Sequence, residues 1–284
     1  MACGCVARPW AVWWTRLVRA GEPSLTARGV ALARARLDRP ASPTGDPGGD
    51  VALAASLAEG GVEQLAHLAE HEPGATRRML GFIKARTSFF DDVVLAAIDR
   101  GVPQVVILGA GYDGRALRFR TPGVRFFEVD HPATQADKRQ RLEALDVATA
   151  GITFVEADFT EPGLEQRLAD AGHRSDEPTQ FLLEGVLRYL PEPAVHDLLA
   201  CARRRAAAGS ELAVSIVTRS PEEDDDAAAA RRANDQRLAD SGEAVLTVPA
   251  REVALDWLTD AGWSIGSVAD LDNRPGRLLV RAVA

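Results

Sequence analysis

Cysteine is scarce in this chain, with only Cys3, Cys5 and Cys201 among 284 residues. That excludes a disulfide framework and makes a reducing, cytoplasmic setting the expectation. Cys3 and Cys5 have no nearby His or Cys to complete a zinc site, so no metal is expected. Long apolar runs are missing too. No stretch approaches the roughly 18 apolar residues of a membrane span, and Arg8, Arg16 and Arg19 interrupt any signal-peptide core. Positive charge is in deficit: 33 Lys and Arg against 41 Asp and Glu leave a net charge of −8. A general nucleic-acid binder needs a basic face, so neither nucleic acid nor a membrane is an expected partner. Lysine is scarce while alanine, arginine and aspartate abound, a bias of GC-rich coding that says little about chemistry.

What is present is apolar surface, at 46% of residues, enough for one large α/β domain. Residues 1–23, with Trp10, Trp13 and Trp14, form an extension without an assigned role. Residues 24–284 read as one domain. Its first part, 24–100, is mostly helical: Ser24–Leu37 behind a Ser24 cap, a Pro/Gly/Asp loop over 40–50, a helical region over 51–69 broken near Gly60-Gly61, then two pieces around Met79–Ala85 and Asp91–Asp99. No flexible linker separates this helical cover from the first strand.

From Gln104 strands and helices alternate. Strands are predicted at Val105–Leu108, Arg125–Val129, Thr153–Glu156, Gln180–Leu183, Leu212–Val217, Ser264–Val268 and Arg277–Ala282. Helices are predicted at Ala133–Ala148, Leu164–Ala171, Pro193–Ala208 and Ala250–Ala261. Such alternation defines an α/β fold, a Rossmann-like, doubly wound, mostly parallel seven-stranded sheet. The last two strands are joined by a hairpin-length loop, too short for a parallel crossover, so the last strand is expected to be antiparallel. The polar stretch 221–240 reads as a helix, and 219–248 is a candidate lid.

Chemistry is expected outside the carboxyl ends of the strands. Gly109, Gly111 and Asp113 follow the first strand, and glycine lets backbone lie close to a ligand. Asp130 ends the second, where a carboxylate can accept from both hydroxyls of a ribose. Asp158-Phe159 follows the third, and Glu184-Gly185, then Arg188-Tyr189, the fourth. Gly109-x-Gly111-x-x-Gly114 also matches the dinucleotide fingerprint, so an NAD-dependent oxidoreductase is an alternative. That reading leaves Asp158 and Glu184 idle and needs a helix for the pyrophosphate, whereas Arg115–Phe119 is short. Asp130 for a ribose, Asp158 with Phe159 for an adenine, and Arg86 for a carboxylate together describe S-adenosylmethionine.

The strings ARTSFFDD (85–92), VVILGAGYDGR (105–115), FFEVDHP (126–132), FVEADF (154–159) and LLEGVLRYL (182–190) resemble the bacterial branch of the leucine carboxyl methyltransferase-like family, a group of class I S-adenosylmethionine-dependent methyltransferases. The resemblance implies that Arg86 holds the methionine carboxylate and that Gly109 lines the methionine. It implies that Asp130 binds the ribose, Asp158 and Phe159 bind the adenine, and Glu184 approaches the amino group. Each residue also has a plainer use: Arg86 could pair with Asp91 or Asp92, Glu184 could cap the turn at Gly185, and Tyr189 could be packing as readily as a substrate contact. The family usually has Thr where Gly114 stands, an aromatic after the Asp46-Pro47 position, and in eukaryotic members a basic residue near Ala27. These departures bear on the acceptor. No histidine is an obvious base: His131 adjoins Asp130 on the cofactor side, and His196 is a surface or packing residue. The missing base points to O-methylation of a small-molecule carboxylate, which needs none. A non-catalytic cofactor-binding protein is the remaining alternative.

Overall fold

The computed structural model describes residues 22–58, 73–219, 225–240, 242–271 and 276–284. The expectations for the tryptophan-rich extension, for Cys3 and Cys5 and for the Gly60-Gly61 break lie outside the described residues.

Seven strands form one sheet: β1 (Gln104–Leu108), β2 (Arg125–Asp130), β3 (Ile152–Glu156), β4 (Thr179–Leu183), β5 (Glu211–Val217), β6 (Ser264–Asp270) and β7 (Arg277–Val283). Their order is β3-β2-β1-β4-β5-β7-β6. The first five are parallel neighbours, and β7 runs antiparallel between β5 and β6. The expected antiparallel last strand is therefore present. Chain order reverses direction between β1 and β4, which is the crevice where open α/β sheets bind ligands. Register aligns the tips: Leu108 lies opposite both Val129 and Leu183, and Asp130 opposite Glu156. Antiparallel β7 brings its first residue, Arg277, to the same edge, opposite Val217.

Both faces of the sheet are covered. Val106 and Leu108 of β1 join one core with α6 (Leu164–Asp170), α7 (Glu192–Arg204) and α9 (Arg251–Asp260), centred on Leu198, Trp257 and Trp263. Val105 and Ile107 face the other core, filled by Phe90, Val93 and Val94 of α3 (Pro73–Asp99) and by Phe119 after α4 (Arg115–Arg118). Buried on both faces, β1 carries no polar break between Val105 and Leu108, as a central parallel strand requires. A third core packs α1 (Leu25–Arg34) and α2 (Pro47–Ser56) on Tyr112, Leu117 and Leu142, the last from α5 (Pro132–Ala144). The polar stretch is helical as expected, as α8 (Asp225–Asp240).

Two expectations are corrected. The pieces around Met79–Ala85 and Asp91–Asp99 are one continuous helix, α3. The intervening Arg86-Thr87-Ser88-Phe89-Phe90 contains weak helix formers but no breaker, and burial of Thr87, Phe90 and Asp91 outweighs propensity. The loop over 40–50 ends early: the Asp46 carboxylate accepts the Gly49 N–H at 2.7 Å, Pro47 takes the first helical position, and Gly48-Gly49 lie inside α2.

Trp263 is 2% exposed, donates its indole N–H to Leu199 O at 3.1 Å and meets Phe181 edge-on. Trp263→Ala is expected to lower unfolding free energy in urea by about 3–5 kcal/mol. Val253→Ala, at an exposed site, should change it by less than about 0.5 kcal/mol.

Candidate active site

A cavity of about 870 Å³ opens over the carboxyl edge of the sheet. Arg86, Gly109, Gly111, Asp130, Asp158, Phe159, Glu184 and Tyr189, all singled out in the sequence, line it together. α1 and α3 contribute to its wall, and Arg237 and Leu238 of α8 reach it as well.

The turn after β1 needs glycine twice. Gly109 has φ +75°, and a Cβ there would stand 2.2 Å from Val186 Cγ2. Gly111 has φ +51°, and a Cβ would stand 2.8 Å from the Ala27 methyl of α1. Both values lie in the left-handed region, where a side chain is strained. The turn is pinned to β2: Gly109 and Ala110 N–H donate to Val129 O, and Gly111 N–H donates to Asp130 Oδ2 at 2.6 Å. Asp130 Oδ1 accepts the His131 N–H at 2.7 Å. Burial raises the Asp130 pKa against the pull of these two backbone donors. His131 caps α5, its Nδ1 accepting from Ala133 N–H at 3.3 Å. Asp158 Oδ1 accepts from the amide and hydroxyl of Thr160, at 2.8 and 2.7 Å, while Oδ2 has no hydrogen bond among the described residues.

Beneath the cavity lies an ionic network that links the cover to the sheet. Glu184 Oε1 meets Arg34 of α1 at 2.5 Å and Arg86 of α3 at 2.7 Å, and its Oε2 meets Arg115 of α4 at 2.7 Å. Arg115 also binds Asp113 at 2.5 Å and Asp91 at 2.7 Å. Arg39 joins Asp91 to Asp50, and Asp50 receives Arg118 at 2.7 Å. Among the described residues, five guanidiniums thus meet four carboxylates, which leaves one positive charge in excess. Arg86 is a terminal member. Glu184 is its one ion-pair partner among the described residues, and burial lowers its pKa despite that carboxylate. Burial alone would raise the Glu184 pKa, but the guanidiniums of Arg34, Arg115 and Arg86 hold it at about 2. Arg115 and Arg34 hold Asp113 below the usual carboxylate range in the same way.

The plainer partners of Arg86, Asp91 and Asp92, are not used: Asp91 goes to Arg39 and Arg115. Tyr189 is half-buried, and burial raises its pKa. His196 is 41% exposed, beside Glu192 and Trp257, as a surface and packing residue. Arg34 and Arg115 escaped sequence reasoning. Arg34 lies among other arginines of α1 with no mark in its spacing. Arg115 sits two residues after Asp113, a local pairing that could have signalled its role.

The dinucleotide reading fails at Gly114. A Cβ there would stand 1.7 Å from Asp50 Oδ1, so an acid of α2 closes the position, and α4 is only four residues long. A pyrophosphate needs open backbone at the start of a longer helix.

The sheet order and carboxyl-edge cavity define a Rossmann-like methyltransferase fold. A provisionally named methyltransferase of Thermobifida fusca superposes with a TM-score of 0.59 at 17% identity, covering 96% of this chain and 99% of that one. An O-methyltransferase family protein of Burkholderia thailandensis superposes with a TM-score of 0.51 at 18% identity, covering 75% and 60%. The sequence model of the leucine carboxyl methyltransferase family matches residues 27–202. A Mycobacteroides abscessus protein provisionally named an S-adenosyl-L-methionine-dependent methyltransferase is 32% identical over 274 residues, 88% of this chain and 85% of that protein. A Parafrankia relative of the same provisional name is 44% identical over 144 residues, 50% of this chain and 46% of its own length. The chain belongs to the leucine carboxyl methyltransferase family. Among the described residues no helix is long and apolar enough to cross a membrane.

Glu184 stays ionised in the folded chain below its ordinary value of 4.5, where the unfolded chain has already taken up a proton. Its contribution to stability is complete above about pH 4.5 and drains away as pH falls toward 2. Glu184→Gln is expected to flatten this part of the stability–pH curve, measured by urea unfolding between pH 7 and 3. At pH 7 it should cost about 3–5 kcal/mol, because it leaves the buried Arg86 guanidinium without its carboxylate and takes one partner from Arg34 and Arg115.

Proposed function

We propose that this chain, by its family an S-adenosylmethionine-dependent methyltransferase, moves the methyl group to an oxygen of a small-molecule acceptor, a carboxylate. The observation that carries the cofactor part is one cavity in which the Arg86–Glu184 pair faces the same space as Asp130, Asp158 and Phe159. An amino-acid head carries one charge of each sign. It can engage both members of that pair, and the excess cation of the network suits its carboxylate. Gly109 and Gly111 keep the turn free of side chains where the methionine part would lie. Asp130, held by two backbone donors, is placed for the ribose diol. Asp158, with Oδ2 uncommitted, and Phe159 are placed for the adenine edge and ring.

When bound, the cofactor supplies a methyl group already activated on a sulfonium. The chain's own task is to align the oxygen behind that methyl and to exclude water, an effect that reaches roughly 7–11 kcal/mol in well-oriented reactions. The carboxylate reading rests on the lack of a histidine placed as a base among the described residues. His131 is the histidine that lines the cavity among the described residues, and its Nδ1 lone pair is taken by Ala133 N–H, which leaves Nε2 as the donor of the neutral ring. A carboxylate is ionised at neutral pH and needs no proton removed. The described residues of 219–248 serve as a lid: Leu246 and Thr247 N–H donate to Arg188 O, and Asp235 pairs with Arg188 at 3.0 Å.

Calorimetric titration with S-adenosylhomocysteine, and separately with NADH, tests this reading. The first is expected to bind and the second not. Asp130→Ala should cost about 1–3 kcal/mol of S-adenosylhomocysteine affinity, the scale of hydrogen bonds to a charged group. Unchanged affinity would move the cofactor away from the tip of β2. Gly109→Ala should abolish measurable binding, since its methyl would force Val186 aside at the centre of the cleft.

A further inference from the structure

The cavity is electrically divided along the sheet. Asp130, Asp158 and Glu161 line it at the tips of β2 and β3. Across the β1/β4 crevice, apart from Glu184 at the tip of β4, which Arg34, Arg86 and Arg115 already hold, the lining charges from the β4, β5 and β7 side are Arg188, Arg237, Arg277 and Glu243. Three of these four are engaged. Arg188 pairs with Asp235, Glu243 accepts from the amide and hydroxyl of Thr26, and Arg277 stacks on Phe82 at 4.3 Å. Arg237, on α8, has no hydrogen bond or ion pair among the described residues. The wall between these groups is apolar, built from Val30, Met79, Phe82, Ile83, Leu271 and Leu278. A volume of about 870 Å³ lies toward the upper end of the roughly 300–1,000 Å³ of ligand pockets, which suits a small acceptor beside a cofactor.

We propose that this far half binds the methyl acceptor as an apolar monocarboxylic acid, aryl or branched alkyl, and that Arg237 is the specificity residue that meets its carboxylate. This rests on the methyltransferase reading above and names the acceptor class for the same site. The acidic half matches a cationic sulfonium and its ribose, and the half with the uncommitted guanidinium matches an anion. Arg237 can hold one carboxylate oxygen while the other is presented to the methyl group. That oxygen forms the new O–CH₃ bond as the methyl–sulfur bond breaks, its electron pair remaining on sulfur. The sulfonium and the carboxylate both become neutral, with no proton, base or oxidant involved. The neutral ester has then lost the charge that Arg237 held, so product leaves more readily than acceptor.

The test uses the full chain saturated with S-adenosylhomocysteine, titrated calorimetrically with 3-phenylpropionate, 4-methylpentanoate and the neutral isostere 3-phenylpropionamide. The acids are expected to bind at least about tenfold more tightly than the amide, the lower end for a charged hydrogen bond. Arg237→Gln should remove that preference without changing the affinity for S-adenosylhomocysteine, and Arg237→Lys should keep most of it. Equal binding of acid and amide, an acid preference that survives Arg237→Gln, or no acid binding to the loaded chain each overturns the proposal. Failure of S-adenosylhomocysteine itself to bind the folded chain removes the cofactor reading, and this inference with it, and is seen in the first titration before any acid is added.

Discussion

The buried contact between Glu184 and three guanidiniums is the constraint on which the rest of the site depends. Burying so many charges is not a cheap route to stability, since desolvation cancels much of the Coulombic gain. What it secures is placement. Arg34 comes from α1, Arg86 from α3, Arg115 from α4, and the carboxylate from the tip of β4. Four chain segments are fixed at one point beneath the cavity. The N-terminal helices are thereby part of the site: without them Glu184 would keep only the Arg115 contact, and Arg86 would not be presented at all. The surplus of one cation follows from the same contact and leaves a positive charge to be met by something that enters.

Gly114 shows how a departure from a family pattern can be absorbed. Asp50 Oδ1 stands where a side chain at 114 would begin, and Asp50 is in turn held by Arg39 and Arg118. The space that a larger residue would fill is taken by a carboxylate from α2, which ties that helix to the turn after β1. Gly48 and Gly49 belong to the same adjustment. Gly49 lets the Asp46 cap and the start of α2 come close, since a Cβ there would stand 2.4 Å from the Asp46 carboxylate, whereas one at Gly48 would meet it only at 3.4 Å. The glycines that read as a loop in the sequence are thus what brings Asp50 to its place.

The sheet was legible because its rule is local. An unbroken β-branched run such as Val105–Leu108 has few uses other than a buried strand, and a glycine turn after it marks the edge where ligands gather. The residues at strand tips were legible for the same reason: period and order alone put Asp130, Asp158 and Glu184 on one edge. The roles of Arg34, Arg115 and Asp50 were not, because nothing local distinguishes a buried arginine from a solvated one in a chain rich in arginine. Their partners lie far off in sequence, and only packing decides which guanidinium turns inward. The continuity of α3 escaped for a related reason, since its weak middle is helical through contacts that Thr87, Phe90 and Asp91 make with other elements.

The roof of the cavity is likewise assembled from distant parts of the chain. Thr26 at the start of α1 donates both its amide and its hydroxyl to Glu243, and the nearby Leu246 and Thr247 bond to the carbonyl of Arg188. The start of α1 and the chain after α8 are therefore joined to each other as well as to the sheet. Under the proposed reading, water exclusion, which methyl transfer requires, and acceptor selection both draw on this one joined roof.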